Sequence, residues 1–117
     1  MSSRGSGAAP FLNAALVGTV VLVKTGRIAL SSFFLYNPSN AAVYIRLYDA
    51  AIDTDVTNGV TVPDYVLAAN TVTFAQGQFC QTIQFTKGLC AVACTTPVGS
   101  GTTAPNVGAV VNLGLNA

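Results

Sequence analysis

The sequence has no histidine, no glutamate and no tryptophan, and only 8% of its residues carry charge. Each absence closes off a class of function. Without histidine the usual general base and the commonest metal ligand are gone. Ser-His-Asp and Cys-His arrangements are therefore impossible within one chain. The only carboxylates are Asp49, Asp53, Asp55 and Asp64. A carboxylate-pair hydrolase could use two aspartates, but this Ala/Thr/Asn-rich stretch reads as an acid-solvated loop. Phosphate-binding signatures are missing, with neither GxxxxGK[ST] nor a strand-linked GxGxxG. No catalytic residue, cofactor or small-molecule substrate is expected, and the chain does not read as an enzyme.

Basic charge is equally sparse. Arg4, Lys24, Arg27, Arg46 and Lys87 are too few and too scattered to form the stripe that neutralises nucleic-acid phosphates. Beyond Lys87 no charged side chain occurs. A zinc site wants four ligands, and Cys80, Cys90 and Cys94 without histidine fall short. Cys90 and Cys94 in one strand would share a face but stand ~13 Å apart, beyond disulfide reach. A link from Cys80 to either is open if their strands pair. Small, reduced, buried thiols in a protein assembled in the cytoplasm are the simpler reading. Asp53, Asp55 and Asp64 match the first, third and last spacing of a calcium loop. However, Gly59 comes one place late, the last ligand is not Glu, and no helices flank the segment, so no metal is expected.

Long hydrophobic runs are also lacking. The segment from Gly5 to Val23 is uncharged, but its strongly apolar part is only Ala14 to Val23, about half the ~20 residues needed to span a bilayer. Its β-branched residues favour a strand. A membrane location is not expected.

What is present is β-strand vocabulary, with 51% hydrophobic residues in 117. Residues 1–12 read as a flexible Ser/Gly/Ala-rich arm, and residues 13–117 as one domain. Strand candidates are Leu16 to Lys24 and Ile28 to Tyr36, the latter with Ile28, Leu30, Ser32, Phe34 and Tyr36 on one face. After the turn Asn37-Pro38-Ser39-Asn40 comes Ala41 to Asp49, the clearest period-2 pattern in the chain. Val60 to Leu67 contains Pro63 and reads as an edge or bulged strand. Asn70 to Ala75 and Phe79 to Thr86 follow, separated by a turn at Gln76-Gly77-Gln78, then Leu89 to Thr95 and Val107 to Leu115. Seven or eight short strands without an amphipathic helix predict an all-β fold, an antiparallel β-sandwich or jelly-roll-like barrel.

In the third candidate strand Val43, Ile45 and Leu47 face one way, and Tyr44, Arg46 and Tyr48 the other. Tyr and Arg are enriched at contact hot spots, so this stripe is a candidate interface. Alternatively the phenol rings shield a cross-strand neighbour. Phe11 and Leu12 of the arm are the other candidate contacts.

Leu35-Tyr36-Asn37 followed by Ala42-Val43-Tyr44-Ile45-Arg46-Leu47-Tyr48-Asp49 resembles small virion proteins of tailed bacteriophages. The resemblance runs through Val62-Pro63, Val66 to Ala69, Gly77 to Phe79, Thr86 to Leu89 and Ala91 to Ala93, covering about residues 28–96. The cysteines and the neutral stretch after Thr96 depart from it. It implies a β-sandwich decoration or cement subunit on the capsid surface, often trimeric, whose partners are its own copies and the major capsid protein. A receptor- or carbohydrate-binding module of a fibre or tail is the alternative. Near-zero net charge, which favours association, points the same way.

Overall fold

The computed structural model describes residues 11–16 and 18–116. Eight strands follow one another: β1 (Phe11–Leu16), β2 (Val21–Thr25), β3 (Ile28–Asn37), β4 (Val43–Tyr48), β5 (Tyr65–Ala69), β6 (Thr73–Phe85), β7 (Gly88–Cys94) and β8 (Ala109–Asn116). One 3-10 turn at Asp53–Asp55 interrupts the β4–β5 loop.

The strands form two four-stranded antiparallel sheets, β1-β8-β3-β6 and β2-β7-β4-β5, called here sheets A and B. Their order has a simple logic. First pairs with last, second with second-last, and so on inward to the β4–β5 pair. The chain is thus one long hairpin folded at its middle and rolled up, and the β8–β3 and β7–β4 contacts complete each sheet. That is the jelly-roll arrangement of two Greek keys, so the all-β sandwich expected from the strand pattern is the fold.

The core lies between the sheets. Ile28, Leu30 and Leu35 of β3 meet Val43, Ile45 and Leu47 of β4, with Leu89, Ala91 and Ala93 of β7 and alternate residues of β8 around them. In β4 the inward set is the one the period-2 pattern selected. Strand β7 is buried on both faces. Its other face, Cys90, Val92 and Cys94, packs under Tyr48, Ala50 and Val56. This explains why β7 is built of small residues: the long connections on either side of β4 and β7 must close over it. All three cysteines are free thiols, Cys80 exposed and the other two buried.

The break after β3 is an Asn-centred clasp. Asn37 is fully buried, and its Nδ2 donates to the carbonyls of Ala41 at 2.8 Å, Ala69 at 3.2 Å and Asn70 at 3.0 Å. Its Oδ1 accepts from Ser39 N and Oγ at 2.9 and 2.6 Å. A single side chain thereby ties the β3–β4 turn to the β5–β6 turn, satisfying carbonyls that burial would otherwise penalise. Gly26, with φ of 88°, makes the β2–β3 turn.

Several boundaries differ from the sequence reading. Leu16 to Lys24 is divided between two sheets: β1 ends at Leu16 and β2 begins at Val21. Phe11 and Leu12, expected in the arm, lie opposite Leu113 and Asn112 in β8. Residues 1–10 fall outside the described residues. Pro63 delays β5 to Tyr65, and β5 is an edge strand as proline implies. Gln76-Gly77-Gln78 is no turn, since β6 runs through it to Phe85. Strand β3 changes phase at a register shift between Leu30 and Ser32. The bulge sends Leu35 and Asn37 inward and leaves Phe34 and Tyr36 on the outer side, against the expectation that they share a face with Ile28.

Candidate interaction surface

Arg46 and Tyr48 lie, as expected, on the side of β4 away from the inter-sheet core. That side is nevertheless closed. Arg46 is 0% exposed and Tyr48 1%, because the β7–β8 connection folds over the first and the β4–β5 connection over the second. The guanidinium Nε donates to Thr96 O at 3.2 Å, and Nη1 to Asn58 Oδ1 at 3.0 Å and Gly99 O at 3.3 Å. Nη2 reaches Thr96 O at 3.0 Å, Thr96 Oγ1 at 2.9 Å and Gly101 O at 2.7 Å. Every one of these acceptors is neutral. The planar fork of donors therefore works as an internal clamp, collecting carbonyls of an irregular loop that has few partners of its own.

Tyr48 packs against Ala50, Val56 and the outer face of β7. Its hydroxyl is buried without a hydrogen-bond partner. Burial pushes the phenol above its ordinary pKa, and the nearby Arg46 charge opposes that shift only in part. Tyr44 remains half-buried. The expected Tyr-Arg-Tyr contact stripe is thus corrected: two of its three residues hold the protein's own loops. The side chains of Phe11 and Leu12 lie outside the described residues.

Asp49 and Asp64 are structural as well. Asp49 Oδ1 accepts from Lys87 N at 2.8 Å and Gly88 N at 3.3 Å, and Oδ2 from Thr86 N and Oγ1, both at 3.1 Å. Desolvation alone would raise its pKa, but the main-chain donors of Lys87, Thr86 and Gly88 outweigh it and hold the carboxyl below its usual range. Asp64 Oδ2 accepts from Asp49 N at 2.7 Å. Asp53 and Asp55 stand exposed on the 3-10 turn. No group of three or more His, Cys, Asp or Glu side chains able to hold a metal ion occurs among the described residues.

The surface that stays open is the outer face of sheet A. Strand register sets it out in rows across β8, β3 and β6: Val110–Tyr36–Phe74, Asn112–Phe34–Gln76 and Gly114–Ser32–Gln78. No residue in these rows is charged. Phe34 and Phe74 stack with centroids 5.7 Å apart and planes inclined by 27°, while Phe74 is 59% and Tyr36 36% exposed. Beside them lies a shallow concavity of about 710 Å³, lined by Phe34, Gln76, Gln78, Asn112 and Gly114 among others. It exists because Gly114 has no side chain: a Cβ there would collide with Ser32 Oγ. Sequence reasoning missed this surface. Its one available signal was the alternation of Phe74, Gln76 and Gln78, which the assumed turn concealed.

No protein-family model matches the chain, and the curated proteins and solved structures give no significant match.

Proposed function

We propose that the chain is a structural virion subunit that oligomerises, docks on the surface of a phage capsid and cements it by covering junctions of the major capsid protein. The observation that carries this reading is the charge-free outer face of sheet A, where exposed aromatic and amide side chains lie with no ionic group among them. Such a face is stabilised by being covered, at roughly 25 cal/mol per Å² of apolar area, and it offers no charge for steering a soluble partner. The jelly roll supports the reading by analogy, since capsid domains use it, though so do lectins and cupins. The resemblance implies three copies per assembly. The reading assigns the chain no catalytic role, cofactor or nucleic acid. The test is co-sedimentation of purified protein with shells of the major capsid protein from the same genome. Saturable binding is expected, and protein left wholly in the supernatant refutes docking.

A second reading, a carbohydrate- or receptor-binding module of a phage fibre or tail, is favoured by the concavity beside Phe34. An aromatic ring next to Gln76, Gln78 and Asn112 amides suits a neutral sugar, which stacks on the ring and hydrogen-bonds at its rim. NMR titration with a glycan panel decides it. Saturable shifts confined to residues 32–34, 76–78 and 112–114 would support it, and an unmoved spectrum would remove it.

A further inference from the structure

Each sheet has two edges, and the four edge strands β1, β6, β2 and β5 are not alike. Strands β1, β2 and β5 are short, with six, five and five residues. Strand β2 also carries Lys24, and β5 enters through Pro63-Asp64. Short length, charge and proline are the devices by which proteins stop edge strands from pairing with another chain. Strand β6 has none of them. It runs for 13 residues, TFAQGQFCQTIQF, without a charge or a proline.

Its main chain is bonded on one side only. Among the described residues β6 pairs with β3 and with no other strand, and none of its residues enters a further backbone hydrogen bond. One protective feature is present, a bulge. Opposite the step from Leu30 to Ser32, the partner on β6 jumps from Ile83 to Gln78. The intervening residues leave the ladder, and Phe79 there meets Tyr65 of β5 edge to face, with centroids 5.7 Å apart and planes at 86°. On the other side of the bulge, Thr73 to Gln78 stay in unbroken register with Asn37 to Ser32. That stretch is regular, neutral and open.

We infer that Thr73–Gln78 is the seam at which a second copy of this chain adds, β6 against β6 and antiparallel about a two-fold axis. The inference rests on the self-assembly reading above, with pairs of copies in place of the three that the resemblance implies, and names the surface used. A second copy is the partner that the charge pattern fits. In an isologous contact every residue meets the same patch of its mate, so a charged edge repels itself, and like charges across a strand pair are destabilising. This edge has no charge to repel. The size also suffices: six residues paired antiparallel give about six ladder hydrogen bonds, within the roughly 5 to 15 of a typical interface. The seam would merge two four-stranded sheets into one of eight, bring Phe74, Gln76 and Gln78 of both copies together, and make the neutral outer face continuous.

The test compares the solution mass of the full chain with that of Gln76→Lys, Gln76→Glu and Asn112→Lys, by light scattering after size exclusion. All three changes are at exposed positions, and circular dichroism checks the fold. The seam predicts an assembly with an even number of copies. It also predicts that either charge at position 76 weakens association by roughly tenfold or more, about 1.4 kcal/mol, while Asn112→Lys, on the same face but away from the edge, leaves it unchanged. A wild-type assembly with an odd number of copies, or one that keeps its mass with charge at position 76, refutes the seam and leaves self-assembly standing. Equal weakening by Asn112→Lys also refutes it, in favour of face-to-face stacking. A wild-type monomer at every concentration overturns both readings.

Discussion

Replacing Arg46 by alanine removes the side chain on which the β7–β8 connection is hung. The guanidinium donates to Thr96, Gly99 and Gly101 carbonyls, the Thr96 hydroxyl and the Asn58 side chain. Hydrogen bonds from a charged donor contribute about 1.5–3 kcal/mol each, but they are far from additive here, because Gly99 and Gly101 sit in an exposed loop that water can reach once it loosens. Against the loss stands the desolvation cost of a buried charge, which alanine relieves. Weighing these, Arg46→Ala should cost about 3 kcal/mol, a large share of the 5–15 kcal/mol available to a typical domain. With a urea m-value of about 1.5 kcal/mol/M, the unfolding midpoint falls by about 2 M. Arg46→Met, which restores the packing of the stem but none of the donors, should recover only about 1 kcal/mol of that loss. Limited proteolysis should cut the alanine variant between residues 95 and 103 while the core stays intact. If Arg46→Ala unfolds within 0.5 kcal/mol of the wild type, in the range of an ordinary surface change, the clamp argument fails. If it lowers association alone, the side chain is a partner contact after all.

Three further outcomes follow from the same geometry. Tyr48→Phe deletes a buried hydroxyl that has no partner, so chemical denaturation should show a gain of about 1 kcal/mol. Asp49 has its carboxyl pKa lowered in the folded state; the stability it supplies is fully present above the unfolded value of about 3.9 and is lost as pH falls through the folded value. Asp49→Asn should therefore flatten the acid limb of a stability-versus-pH curve, and an unchanged limb would refute this. Cys80 is exposed while Cys90 and Cys94 are buried, and burial, aided by Asp53 and Asp55, pushes the Cys90 thiol up. A thiol reagent should count one cysteine in native protein and three in denaturant, and more than one fast-reacting native thiol would contradict the packing of β7.

The sheet structure was legible because alternation is a local signal. Val43, Ile45 and Leu47 announce β4 and its buried side without help from the rest of the chain, and the turn chemistry of Asn37-Pro38-Ser39-Asn40 marks where β3 ends. The surface was not legible, for two physical reasons. A β-bulge costs one residue of phase and has no composition of its own, so Phe34 and Tyr36 were assigned to the wrong side. The face of β4 away from the core looked exposed because the residues that cover it, Thr96, Gly99 and Gly101, are some 50 to 55 positions away along the chain. Burial of Arg46 is a tertiary fact, and a Tyr-Arg-Tyr stripe reads the same under a loop as in solvent. Gln76-Gly77-Gln78 misled for the opposite reason. Its glycine suggests a turn, yet it lies opposite Phe33 in the strand, where a Cβ would come within 3.1 Å of that ring.

The central claim is that this protein's open neutral surface exists to be covered by other copies and by a shell. The most direct measurement is the solution mass of the purified protein, without detergent, across a concentration series. The account predicts a defined closed oligomer that persists on dilution to micromolar protein. A well-behaved monomer throughout that range would contradict it, since the uncharged face of sheet A would then be stable in water alone.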